Sequence, residues 1–171
     1  MSHTQDYKAQ ILDELARRFE VNQNSLADAY ALIWAIDVYA SLVWFETGRV
    51  GKECVFKNRI EKQCEAFGII RSASNAIKHI ERNGNDVVVK SMSDVQTGSG
   101  SNWHSYFANA GSSEPSVAIT MHWEYDRDTK EFKDGDGKII DAPQSHWKTQ
   151  YLMRLYRPAI DAIEAKLTEL Q

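Results

Sequence analysis

The sequence predicts an α+β fold that is mainly helical, and three observations carry that prediction. Apolar residues recur at helical spacing through residues 6–84 with only short breaks. From residue 85 the pattern changes to short β-branched runs between Ser-, Gly- and Asn-rich stretches. A final amphipathic segment then runs from Pro143 towards the end of the chain. The organisation expected is a single domain over 1–171: helical at 1–84, β-meander and loop at 85–142, and a C-terminal helix at 143–171 that returns to the bundle.

Residues 6–20, DYKAQILDELARRFE, place Ile11, Leu12, Leu15, Ala16 and Phe19 on one side of a helix. VNQN breaks it, and Ser25 is positioned to cap the next helix, with Asp28 completing a weaker capping box. That second helix, LADAYALIWAIDVYASLVWFETG, is apolar on nearly every side and ends at Gly48. Asp28, Asp37 and Ser41 interrupt it, and an Asp at a bilayer centre costs about 3 kcal/mol, so a core helix is expected rather than a membrane span. GKECVFKNRIEKQCEAFG forms a third helix with Val55, Phe56, Ile60 and Cys64 inward, stopping near Gly68. IIRSASNAIKHIERNG, residues 69–84, forms the fourth.

In the second half, DVVVKSM reads as a strand and VAITMHWEY as the clearest one. Its alternation sends Val117, Ile119, Met121, Trp123 and Tyr125 to one face and Ala118, Thr120, His122 and Glu124 to the other. DRDTK and DGDG are turns around EFK, which completes an antiparallel meander. Pro143 opens the last helix, where its missing N–H costs nothing. Pro158 is expected to bend that helix or split it.

A chain of 171 residues buries roughly 70% of its unfolded surface and needs no covalent staple. The net charge of −4 and pI near 5.7 argue against a protein that coats duplex DNA by charge. Cys54 and Cys64 are expected about 15 Å apart along one helix, too far to bridge, so free thiols in a reducing compartment follow. The opening MSHTQDYKAQ lacks the basic and apolar regions of a signal peptide, and a cytoplasmic location is expected.

Chemistry is densest on the helix from residue 69. At 100° per residue with Ile70 at zero, the apolar set centres near 290°, and Lys78, Arg71, Arg82, Asn75 and His79 fall between about 80° and 180°. The polar stripe is therefore expected to face away from the core. Cations, an amide and an imidazole together have the chemistry to hold a phosphate and move a proton during RNA cleavage. A solvated helix face accounts for the same residues.

The helix order and the motif RSASNAIKH resemble bacterial helical-bundle proteins of the HEPN type. Those proteins carry an Arg, often followed by Asn, and a His a few residues beyond it on a late helix. Dimerisation brings two copies together as a metal-independent ribonuclease site. The resemblance spans roughly residues 25–85 and implies a dimer of bacterial origin with Arg71, Asn75, His79 and Arg82 as site residues. The interval differs from that family's, since seven residues separate Arg71 from His79, and the Arg82–Asn83 pair has no His after it.

Asp37, alone in its apolar run, needs a partner: a Tyr, a Trp or a basic side chain that fixes helix packing, or a pocket in which it becomes a raised-pKa acid. His104, His122 and His146, with His79, match no zinc-ligand spacing, and His122 is expected in solvent. DGDG and DRDTK lack the ligands of a calcium loop, and QTGSGSN lacks those of a phosphate loop. No cofactor and no metal are expected. The function expected is that of a non-enzymatic HEPN-like interaction protein, a homodimer or the partner of another protein. The alternative is a metal-independent endoribonuclease of the toxin or host-defence type, the one reading in which RNA is a partner.

Overall fold

The computed structural model describes residues 2–79, 88–98, 116–134, 139–140 and 149–169. Within them the architecture is α+β and mainly helical, as the periodicity predicts. Helix α1 (His3–Tyr7) runs through a π-turn (Lys8–Leu12) into α2 (Asp13–Val21). It is followed by α3 (Leu26–Glu46), α4 (Glu53–Gln63) and α5 (Glu65–His79). After a 3₁₀ turn (Met92–Asp94) come β1 (Val95–Gly98), β2 (Ser116–Thr120), β3 (Trp123–Asp126), β4 (Glu131–Asp134), β5 (Ile139–Ile140) and β6 (Thr149–Tyr151). The last helix, α6, is Leu152–Thr168.

Helix α3 is the axis of the bundle. Ser25 caps it, accepting from the Asp28 N–H at 3.1 Å, while the Asp28 carboxylate pairs with Arg18 rather than closing a capping box. Leu32, Ile33, Ile36, Ala40 and Val43 are fully buried along it. By length and composition α3 alone among the described helices would cross a membrane, yet here α1, α2, α4, α5 and α6 pack around it. Tyr39 stacks on Tyr7, and the Tyr7 hydroxyl donates to the Ala35 carbonyl. Glu20 clasps α2 to α6 by accepting from Tyr156 and Arg157. Burial and the Glu20 carboxylate push the Tyr156 phenol up to about 12.

Several boundaries differ from expectation, each for a local reason. The π-turn inserts an extra residue and shifts the phase of the helix, so Leu12 is fully buried while Ile11 turns out to 44% exposure. The break between α4 and α5 falls at Cys64, not Gly68. Cys64 is extended, and its carbonyl accepts from the Phe67 and Gly68 amides, starting α5 there. Of the residues expected inward on α4, Ile60 is buried, Phe56 and Cys64 pack against the core, and Val55 faces out. Cys54 and Cys64 are both free thiols.

The expected single meander is two antiparallel sheets, ordered β1-β2-β6 and β3-β4-β5. The stretch 117–125 changes partner midway, because the His122 amide donates to the Val88 carbonyl rather than to a ladder. Val117, Ile119, Met121 and Trp123 are buried as the alternation requires, whereas Tyr125 is largely exposed. In the β3–β4 hairpin Phe132 packs against Trp123 and Tyr125. Its turn is fixed by Asp126, which accepts from the Asp128 and Thr129 amides and pairs with Lys133 at 2.5 Å. These partners, Lys133 foremost, hold the Asp126 carboxyl near 2.

Residues 149–151, expected in the last helix, form β6, and that helix begins at Leu152. Pro143 and the part of the DGDG turn after Asp134 lie outside the described residues. Pro158 neither splits nor stops α6. Arg154 and Pro158 are both exposed, so the proline's missing N–H falls on the solvent side of the helix.

The phase shift at the π-turn gives a direct test. Leu12→Ala is expected to cost about 2–5 kcal/mol in urea unfolding, and Ile11→Ala less than about 1 kcal/mol. Equal costs would contradict this placement of the turn.

Candidate functional site

The residues with the most chemistry meet at Asp37, midway along α3. The carboxylate is 4% exposed and is bonded from two other helices. Lys57 of α4 places its ammonium 2.7 Å from Oδ1, and Lys78 of α5 places its own 2.7 Å from Oδ2. The Ser74 hydroxyl donates to Oδ2 at 3.1 Å. On the outer side Glu53 takes the second contact of Lys57 at 3.0 Å and accepts from Ser41 at 2.6 Å. Two ammonium groups thus face two carboxylates, and the cluster is neutral.

Helical spacing makes this geometry available. Ser74 and Lys78 stand one turn apart on α5, Glu53 and Lys57 one turn apart on α4, and Asp37 and Ser41 one turn apart on α3. Burial by itself would raise the Asp37 carboxyl, and the ammonium groups of Lys57 and Lys78 overcome it, holding the group below its ordinary value. Of the two readings of Asp37, the basic partner that fixes packing is the one observed. The group is a stabilised anion, not a raised-pKa acid. Glu53 is lowered in turn, by the Ser41 hydroxyl first and then by Lys57.

The polar stripe of α5 does not stay together. Arg71 is half-buried and turned to α4, donating to Asn58 at 2.7 Å and pairing with Glu61 at 3.0 Å. Lys78 reaches Asp37. Asn75 is half-buried and His79 is exposed. Arg82 lies outside the described residues. The expectation that the whole stripe faces away from the core is therefore corrected at Arg71 and Lys78. Because α5 begins at Glu65, Phe67 belongs to it and is buried, as are Ser72 and Ser74. The buried arc is wider than the 69–84 pattern implies and reaches the edge on which Lys78 stands.

Lys57 escaped notice because α4 was read from its apolar residues. Its signal is present: Glu53, Lys57, Ile60 and Cys64 follow one another by four, three and four residues, which puts a cation on the inner seam.

A smaller polar centre lies where the sheets meet the bundle. Asp94 accepts from the Lys90 and Ser91 amides at 2.9 Å each, and its other oxygen lies 2.9 Å from His122 Nε2. His122 is 41% exposed, as expected, and is also held by a carboxylate. His104 and His146 lie outside the described residues. Among the described residues no group of three or more His, Cys, Asp and Glu is placed to hold a metal ion.

Asp37→Asn leaves Lys57, which is only 7% exposed, with Glu53 as its one remaining carboxylate and is expected to cost about 3 kcal/mol; Lys78→Met, whose ammonium end reaches solvent, is expected to cost about 1 kcal/mol. Since the folded carboxyl is depressed, its contribution is complete above the ordinary value of 3.8 and is lost as pH falls through the lower, folded value. Urea unfolding between neutral pH and pH 2 is therefore expected to show a shallower acid limb for Asp37→Asn than for wild type. Superimposable limbs would remove Asp37 from this role.

No protein-family model, no curated protein and no solved structure matches the chain.

Proposed function

We propose that this chain is a non-enzymatic, HEPN-like helical protein that acts through protein–protein contacts. The observation that supports this is the outer side of α3. A helix face left open to water is normally polar. Here Trp34 is 56% exposed and Phe45 44% exposed on that side. Exposed aromatic surface of this kind belongs to interaction sites. The free thiols of Cys54 and Cys64 suit a reducing compartment, and we place the protein in the cytoplasm.

The ribonuclease reading is weakened by where the cations go. A guanidinium already paired with a carboxylate is neutralised and short of donors for a phosphate, and Arg71 is paired with Glu61. Lys78 is committed to Asp37. What keeps the second reading in view is His79, exposed on α5 one turn beyond Asn75. In it His79 would be the acid or base, Asn75 would orient the imidazole, and Arg71 and Arg82 would hold the scissile phosphate.

Incubation of purified wild type and His79→Ala with mixed RNA separates the two. The same background-level degradation by both proteins is expected. RNA cleavage by wild type that disappears in His79→Ala would replace this proposal with the nuclease.

A further inference from the structure

The outer face of α4, and the corner that joins it to α3, carry cations whose neighbouring acids are all engaged elsewhere. Asp28 is turned to Arg18, Asp37 to Lys57 and Lys78, and Glu46 to the Thr4 amide. Glu53 is turned to Ser41 and Lys57, and Glu61 to Arg71. Those five are every acid of α3 and α4. Arg49, Lys52, Arg59 and Lys62 are exposed, and none has a carboxylate partner among the described residues. Lys52, Arg59 and Lys62 follow one another by seven and three residues, so they share one face of α4. In a chain of net charge −4 this is a strip of uncompensated positive charge.

The strip runs beside the exposed rings of α3. Asp37 bonds to Lys57 and Ser41 to Glu53, which sets α4 antiparallel to α3 in one register. Continued along both helices, that register puts Arg59 level with Ala35, next to Trp34, and Lys52 level with Leu42. Arg49 lies over the Phe45 ring, 4.0 Å from its centre. Ser41, which reaches α4, stands seven residues from Trp34 and four from Phe45, so both rings are on the side of α3 that borders α4. The shallow groove between the two helices thus has an aromatic wall and a cationic wall.

We propose that this groove docks an acidic amphipathic helix of a partner protein. Its apolar stripe would lie on Trp34 and Phe45, and its carboxylates would face Arg49, Lys52, Arg59 and Lys62. The proposal rests on the reading of this chain as one that acts through protein contacts, and it names the partner's chemistry. A groove between two packed helices is the shape that a third helix fills, with anchors spaced by one and two turns. Trp34 and Phe45 are eleven residues apart, about 16 Å along α3, which is the span of three turns of a docked helix. The rings supply the contact area and the charges supply orientation and selection. Selection favours an anionic partner because no carboxylate of α3 or α4 competes for these four cations, and a basic partner would meet like charge along the whole wall.

A phage-displayed library of peptides about 16 residues long, panned against the full chain, tests this. The selected peptides are expected to carry Asp and Glu beside an apolar stripe of helical spacing and to bind more weakly as salt rises. By fluorescence anisotropy, Trp34→Ala and the double variant Arg59→Glu, Lys62→Glu are each expected to weaken them at least about tenfold. Circular dichroism and the urea midpoint are expected to stay those of wild type, because these side chains lie outside the core. The control is Arg127→Glu, Lys130→Glu, which changes net charge equally at exposed residues of the β3–β4 turn and is expected to bind like wild type. Neutral or basic selected peptides, no selected peptide, or acidic peptides that bind both groove variants like wild type would overturn the proposal. So would phosphatidylserine vesicles or homopolymeric RNA taking the groove residues in place of any peptide. The two readings fail separately. RNA cleavage through His79 with peptide binding intact removes the non-enzymatic function and leaves the groove, whereas peptides that bind another face remove the groove and leave the contact-based function.

Discussion

The structure is organised by one carboxylate in an apolar helix. Taking a carboxylate out of water costs several kcal/mol, and only well-placed opposite charge offsets that loss. Asp37 obtains it from both adjoining helices at once, Lys57 from α4 and Lys78 with Ser74 from α5. Hydrophobic packing alone tolerates a helix that slides or rotates by a fraction of a turn, because one aliphatic contact replaces another. An ion pair of 2.7 Å does not. Three helices are therefore pinned at one level of the bundle, and their rotations are set by where those side chains must point.

That constraint also decides which chemistry the surface offers. Helix α5, the candidate for phosphate chemistry, gives Lys78 to Asp37 and Arg71 to Glu61. Lys57 of α4 is matched in the same way, by Asp37 and Glu53. An exposed imidazole, His79, is left at the end of the described part of α5. Catalysis of phosphate chemistry needs positive charge that is organised but not already satisfied. Here organisation has been reached by satisfying it.

Much of this was legible in the residues. Period and capping gave the N-terminal helices, and Ser25 caps α3 as its position suggests. Asp37 stood out because a lone acid in an apolar run requires a partner. What could not be read was which cation answers it. A helical wheel gives a side chain's direction from its own axis but not the neighbour it meets, and a lysine stem spans the difference between facing away and reaching in. The π-turn was hidden for another reason: it changes the phase of a helix without changing its composition, so Ile11 and Leu12 look interchangeable until the backbone is seen. The partner change in 117–125 was hidden because alternation reports faces, not which strand lies alongside.

The exposed aromatic side of α3 follows from the same arrangement. A helix apolar on every side needs neighbours on every side, and Asp37 dictates where two of them stand. With α4 held at Lys57 and α5 at Ser74 and Lys78, and with α1 tied to the far flank through Tyr7 and Thr4, no helix among the described residues lies over Trp34 and Phe45. The first sheet reaches α3 one turn before Trp34, where β1 accepts from the Tyr30 hydroxyl, and leaves Trp34 itself exposed; the segment before β1 is held through Ser72. Hydrophobicity on the outer face is thus not a residue of imperfect folding. Moving α4 to cover it would pull Lys57 from Asp37 and leave that buried carboxylate to Lys78 and Ser74 alone. The ion cluster that fixes the inside of the bundle is what keeps the outside of its central helix open to another molecule.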